Sequence, residues 1–211
     1  MLRFIRTLVP ALVLSIPLLA GDAVAGDKKH KDKAAAVSVD AKFSRFVLNP
    51  WGKIDGILLD DGTLVRVHDK AVKDTSLKAG DALHIDAKSK TAANQKLYVH
   101  PLIKKNGVVV ADATQKPEKP AQKPNHDKSK LVDLSSTSTV SALFVGHGGK
   151  VHGVVLADGT AAYAAKHGDL STYGLKKGDA VTVTGKGGNY TLGKALVIET
   201  IKLPNGDVKK P

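Results

Sequence analysis

An all-β chain of two small, tandem five-stranded barrels is what this sequence predicts, on three observations. The first is an internal repeat. Gly52-Lys53-Ile54-Asp55-Gly56-Ile57-Leu58-Leu59-Asp60-Asp61-Gly62-Thr63 returns 97 residues later as Gly149-Lys150-Val151-His152-Gly153-Val154-Val155-Leu156-Ala157-Asp158-Gly159-Thr160. After a one-residue insertion, Leu77-Lys78-Ala79-Gly80-Asp81-Ala82 returns as Leu175-Lys176-Lys177-Gly178-Asp179-Ala180. The second is the alternation of short apolar runs with Gly and Asp turn residues inside each copy. The third is the element order within a copy: three strands, a short helical stretch, then two strands, the order of a five-stranded Greek-key barrel.

The elements follow in turn. Phe46-Val47-Leu48, Ile54 to Asp60 and Thr63 to His68 read as strands, the last two joined at Asp61-Gly62, where a type I′ turn is expected; Asp158-Gly159 repeats it. Asp69 to Leu77 reads as a short helix stopped by Gly80, and Gly168 to Leu175 as at most one turn. Ala82 to Asp86 and Leu97 to Lys104 complete the first copy, Ala180 to Thr184 and Ala195 to Lys202 the second. Gly52 and Gly56 suit a barrel whose strands bend sharply, and Gly185-Lys186-Gly187-Gly188 reads as a turn between strands. The fold expected is therefore OB-like, with an SH3-like barrel as the rival closure of the same strands.

The flanks bound the location. Arg3 and Arg6 precede an apolar run from Leu8 to Ala20 and the small-residue triplet Ala23-Val24-Ala25, the order of a secretory signal peptide cleaved before Gly26. The run is too short to span a bilayer, and Pro10 and Pro17 interrupt it, so no transmembrane segment is expected after processing. The expected organisation is signal peptide 1–25, tail 26–39, repeat one 40–112, linker 113–130, repeat two 131–204 and C-terminal tail 205–211. Three Lys-Pro pairs make the linker an extended spacer. With no cysteine, neither a disulfide nor a lipidated cysteine anchor is available, and each core must hold itself.

The pattern Gly-x-Ile/Val-x-Gly-x-x-Leu-x-Asp-Gly-Thr, followed by Leu-Lys-x-Gly-Asp-Ala and an alternating strand, resembles the OB-like repeats of exported bacterial proteins of unknown function. The resemblance implies a fold and an envelope location, periplasmic or secreted; it brings no catalytic residues.

Net charge is +12, which invites nucleic acid or an anionic surface as partner. The two repeats together carry only +5, however, so most of the excess lies in the flanks and linker. Four aromatic or cationic side chains, Trp51, Arg66, Tyr98 and Tyr163, are candidate ligand contacts, but aromatics are too sparse for a specific nucleic-acid groove. If Val65, Val67, Leu83, Ile85, Leu97 and Val99 point inward, then Arg66, His68, His84, Tyr98 and His100 point outward. His68, His84 and His100 are then candidate zinc or copper ligands, weighed against ordinary solvated strand positions. Gly146-His147-Gly148-Gly149-Lys150 lacks the spacing and Ser/Thr of a phosphate-binding loop, and Ser135 to Thr139 lacks a nucleophile elbow. The expectation is a monomeric, non-enzymatic binding or scaffolding module that needs no cofactor, its partner an envelope component or anionic surface. Metal binding and OB-type polyanion binding are the alternatives.

Overall fold

The computed structural model describes residues 34–115, 128–146, 149–165 and 168–211. The expected signal peptide, 1–25, most of the expected tail and residues 116–127 of the expected linker lie outside the described residues. Each repeat is a closed five-stranded barrel with one added strand. In the first, β1 (Ala35–Leu48), β2 (Ile54–Leu59), β3 (Leu64–Val65), β4 (Ala82–Ala92) and β5 (Gln95–Lys105) close in the order β1-β2-β3-β5-β4, and β6 (Val108–Asp112) adds to β5. In the second, β7 (Val132–Val145), β8 (Val151–Leu156), β9 (Thr160–Tyr163), β10 (Ala180–Tyr190) and β11 (Gly193–Lys202) close in the same order, and β12 (Val208–Lys209) adds to β11. The β3–β5 and β9–β11 contacts are parallel, all others antiparallel, which is the OB-like closure.

A barrel this small needs its first strand in two sheets. The first half of β1 pairs with β4 and the second half with β2, and a register shift between Phe43 and Arg45 bends the strand where it changes partner. β7 repeats the device between Val140 and Ala142. One extra residue at each bend increases local twist enough for closure.

Several sequence expectations are corrected. β1 begins at Ala35, inside the segment assigned to the tail, because Ala35 to Ser38 find partners along β4. The C-terminal tail contributes β12, paired to Ile201 and Lys202. The linker's first residue, Ala113, is buried and its N–H donates to Pro101 O. The short helix at Asp69 is one 3-10 turn, Asp69–Ala71, after which Val72 bridges Ala111; Ser171–Tyr173 is its counterpart.

The Asp-Gly hairpins are not type I′. Only Gly62 has positive φ, at +82°, and its N–H donates to Leu59 O, so a type I turn over Asp60 and Asp61 is followed by a left-handed glycine. Asp61 stays at negative φ because its carboxylate accepts both the N–H and the hydroxyl of Thr63. Asp158, Gly159 and Thr160 do the same. Gly185 to Gly188 are not a turn either. They lie inside β10, where a Cβ on Gly185 would collide with Val197 O and one on Gly187 with Ala195 O. Glycine is there because another backbone passes too close for a side chain.

The barrels dock tightly. Ala142, Phe144, Val155, Ala161 and Ala195 of the second repeat join the core built around Leu48, Ile57 and Ile103, while Leu97 of the first joins the core built around Leu156 and Leu196. The polar contacts are reciprocal. Lys177 Nζ donates to Asp61 O (2.7 Å) in one hairpin, and Arg45 Nη1 donates to Ala157 O (3.1 Å) in the other. The Gln95 side-chain amide, next to the β4–β5 turn, clasps both backbone groups of Leu143, and Tyr190, at the β10–β11 turn, donates to Pro50 O (2.6 Å). This resembles a two-fold interface written into one chain.

Candidate functional site

The candidate site opens beside this seam, on the first barrel. Val65 and Val67 face the core, so Arg66 and His68 point the other way, as alternation requires. β5 does not keep the expected phase. Asp86 pairs with Leu102 but Lys88 with Val99, leaving His100 and Pro101 opposite Ala87 alone. This bulge flips the residues before it. Tyr98, expected outward, is 4% exposed in the first core, and Leu97, expected inward, faces the second barrel. His100 takes φ +52°, a left-handed conformation unusual for a residue with a side chain.

Asp55, Arg66, Val67, His68, Lys90, Val99, His100, Ala113 and Gln115 line a cavity of about 270 Å³. Val67, Val99 and Ala113 are its apolar lining residues; Arg66, His68, Lys90 and His100 are the lining residues that carry basic side-chain nitrogens. Arg66 is fixed by the second barrel: its Nη1 donates to Val145 O (2.9 Å), and the guanidinium lies 4.6 Å from the centroid of the Phe144 ring. The Phe144 and Tyr163 rings are 5.0 Å apart, and the Tyr163 hydroxyl donates to Asp55 Oδ2 (3.3 Å). Burial raises the pKa of Asp55, while the Arg66 charge and the Tyr163 hydrogen bond act the other way. Tyr163 is pushed well above its usual value, first by burial and then by the neighbouring Asp55. His68 Nε2 is buried with no hydrogen-bond partner among the described residues.

The candidate residues therefore divide. Arg66, His68 and His100 share the cavity, and Tyr163 adjoins it through Asp55. Trp51 lies in the β1–β2 loop, half-buried, its backbone N–H donating to Asn49 Oδ1. Tyr98 is a core residue with the Lys96 ammonium 5.0 Å from its ring centroid. His84 is on another face, so the three-histidine metal set does not assemble. Among the described residues no group of three or more His, Cys, Asp or Glu side chains is placed to hold a metal.

His84 belongs instead to a cross-strand network with no counterpart in the sequence reading. Its Nδ1 is 2.7 Å from Asp40 Oδ1 and its Nε2 is 3.1 Å from Ser38 Oγ. The order Ser-His-Asp evokes a nucleophile chain, but the Ser38 hydroxyl donates to Asp86 (2.7 Å), and Asp40 is 88% exposed. A serine whose proton is held by a carboxylate, on an open strand face, is not activated as a nucleophile. Asp86, also 3.6 Å from Lys104 Nζ, has its pKa lowered, first by the Ser38 hydrogen bond.

Asp55 and Lys90 were also missed. Asp55 had a readable signal, as the one charged residue in the otherwise apolar β2. Comparison of the chain with family models, curated proteins and solved structures finds no match.

Proposed function

We propose that the protein is a non-enzymatic binding or scaffolding module of the bacterial envelope, exported by residues 1–25 and acting as one two-barrel unit. The observation that carries this reading is the seam. Reciprocal side-chain contacts and exchanged core residues hold the barrels as a rigid platform, and the cavity lined by Arg66, His68 and His100 opens beside it. Rigid positioning of a few polar groups around an apolar pocket is what binding sites require. The signal-peptide pattern and the resemblance of the repeats to exported proteins support the location. Lysines of the tail and linker add a salt-sensitive attraction to anionic surfaces.

The test expresses the full chain in a bacterial host, fractionates the cells and measures the intact mass. Mature protein beginning at Gly26 in the envelope fraction is expected. The purified protein is then incubated with envelope extract, and bound small molecules are compared with the input by mass spectrometry. A binding module returns a subset of the input chemically unchanged. Cytoplasmic protein retaining residues 1–25, or the appearance of a new product, overturns the reading.

A further inference from the structure

We propose that the first-barrel cavity is a binding site for a small organic anion, with one carboxylate or phosphate head on a short apolar body. This rests on the reading of the protein as a binding module and adds the class of ligand. Arg66, His68, Lys90 and His100 converge on one small space, and two of them carry a fixed positive charge. Arg66 spends Nη1 on Val145 O, which leaves further guanidinium N–H groups to donate. The walls of Val67, Val99 and Ala113 match an apolar body rather than a second charged group.

Two further observations point to an occupant. His68 lines the cavity with its Nε2 buried and unpartnered among the described residues, and a turn of the imidazole toward the cavity gives that nitrogen a partner in a bound anion. His100 stands at φ +52° on the cavity edge, and backbone strain at a pocket persists where it aims a side chain. Among the described lining residues the carboxylate is Asp55, whose Oδ2 already accepts the Tyr163 hydroxyl and lies under the Arg66 charge.

The fold does not impose this donor set. In the second repeat the matching positions are His152 for Asp55, Tyr163 for Arg66, Ala165 for His68, Gly188 for Lys90 and Ile198 for His100. A metal is disfavoured by the fixed charges of Arg66 and Lys90. A nucleobase is disfavoured because no aromatic side chain is among the described lining residues.

The experiment titrates the full mature chain with butyrate, butyl phosphate, inorganic phosphate and neutral butyramide while the imidazole resonances of His68 and His100 are followed by NMR. Saturable shifts with butyrate or butyl phosphate, weaker ones with inorganic phosphate and none with butyramide are expected; the tighter of the first two identifies the head group. Lys90→Gln and His68→Leu should each weaken the better probe by about tenfold, the scale of one charge-assisted hydrogen bond. Both variants should keep the parent's circular dichroism, since Lys90 is exposed and His68 makes no hydrogen bond through its buried nitrogen. No saturable shift with any anion, equal binding of butyramide, or unchanged affinity in both variants overturns the proposal. Envelope location with no anion response removes the cavity site alone, whereas anion binding by a cytoplasmic protein removes the envelope reading alone.

Discussion

The β4–β5 ladder of the first barrel and the β10–β11 ladder of the second are the same structure built twice, and only the second keeps its pairing up to the bulge. At the matching step, Gly185 pairs with Ile198, Glu199 is the single extra residue, and Ile198 is 2% exposed. In the first barrel the pair Ala87–His100 is missing from the ladder and His100 is exposed. Two substitutions account for the difference. Ala87 has a Cβ where Gly185 has none, and in the second barrel a Cβ at that position would collide with Val197 O and Glu199 N across the ladder. Pro101, in the place of Glu199, has no N–H to give the ladder and fixes its own φ. The opened step leaves His100 on the cavity edge. A polar pocket has been made by failing to complete a sheet, and the sealed copy shows what completion looks like.

The comparison breaks most severely at the seam. Phe144→Ala removes a ring packed in the first barrel's core although Phe144 belongs to the second, and should cost about 3–5 kcal/mol; Leu97→Ala, the reciprocal case, should cost about 2–5 kcal/mol. Both variants should melt in one transition with both barrels affected, read by calorimetry. Two separate transitions, one of them unchanged from the parent, would show that the barrels are energetically independent after all.

Next in size is the β10–β11 ladder itself. Gly185→Ala places a methyl group against Val197 O and Glu199 N, neither of which can move without breaking a pairing, and should cost about 1–3 kcal/mol. The mirror variant, Ala87→Gly, should cost no more than about 1 kcal/mol, the entropy of an added glycine, and should not close the first ladder because Pro101 remains. Denaturant midpoints measure both. A Gly185→Ala protein as stable as the parent would mean that close approach is not what keeps glycine in β10.

A smaller effect of opposite sign is expected at His100. Relief of a left-handed non-glycine conformation is worth about 1–3 kcal/mol and the added glycine entropy returns part of it, so His100→Gly should raise stability by about 1 kcal/mol. The corresponding Ile198→Gly empties a buried position of the second barrel and should be clearly destabilising. A pair of variants that both destabilise would place no strain at His100.

These differences mark where the sequence could be read and where it could not. The repeat, the Asp-Gly hairpins and most strand positions were legible because turn chemistry and alternation are local. The phase of β5 was not, since one bulge at His100 and Pro101 reverses which face Tyr98 and Leu97 occupy. β6 was visible as Val108-Val109-Val110 but fell outside a five-strand template. In the site, alternation correctly grouped Arg66 with His68, but it could not separate His84 from His100, because that depends on which strands meet around a barrel. The seam was invisible. Leu97, Phe144 and Ala195 look like ordinary core residues, and nothing local says that the core they enter is the other one.

The smallest expected effect is a pH dependence centred on Asp55. Asp55 is raised above its ordinary value of 3.8 by burial, against the pull of Arg66 and Tyr163. A carboxyl whose folded pKa is raised stabilises the fold fully below its unfolded pKa, and that contribution is lost as pH rises through the folded pKa. Asp81, Asp86, Asp112 and Asp158 are lowered and act in the opposite sense: each gains stability for the fold as pH rises toward and past 3.8. Among the described carboxyls with a displaced pKa, Asp55 is the one that opposes the others between pH 3.8 and neutrality. Asp55→Asn removes that opposition while retaining an oxygen to accept the Tyr163 hydroxyl, so the variant should gain relative stability as pH rises above 3.8 and lose that advantage in acid. The second barrel has His152 at this position and no equivalent carboxyl, so an Asp55→Asn difference should be read at resonances around Tyr163 and Arg66 and not in the β10–β12 region. Melting temperatures of parent and variant across that range decide it. A gap that stays constant with pH would mean that Asp55 is not held toward its neutral form in the folded protein, and that the seam tolerates its charge.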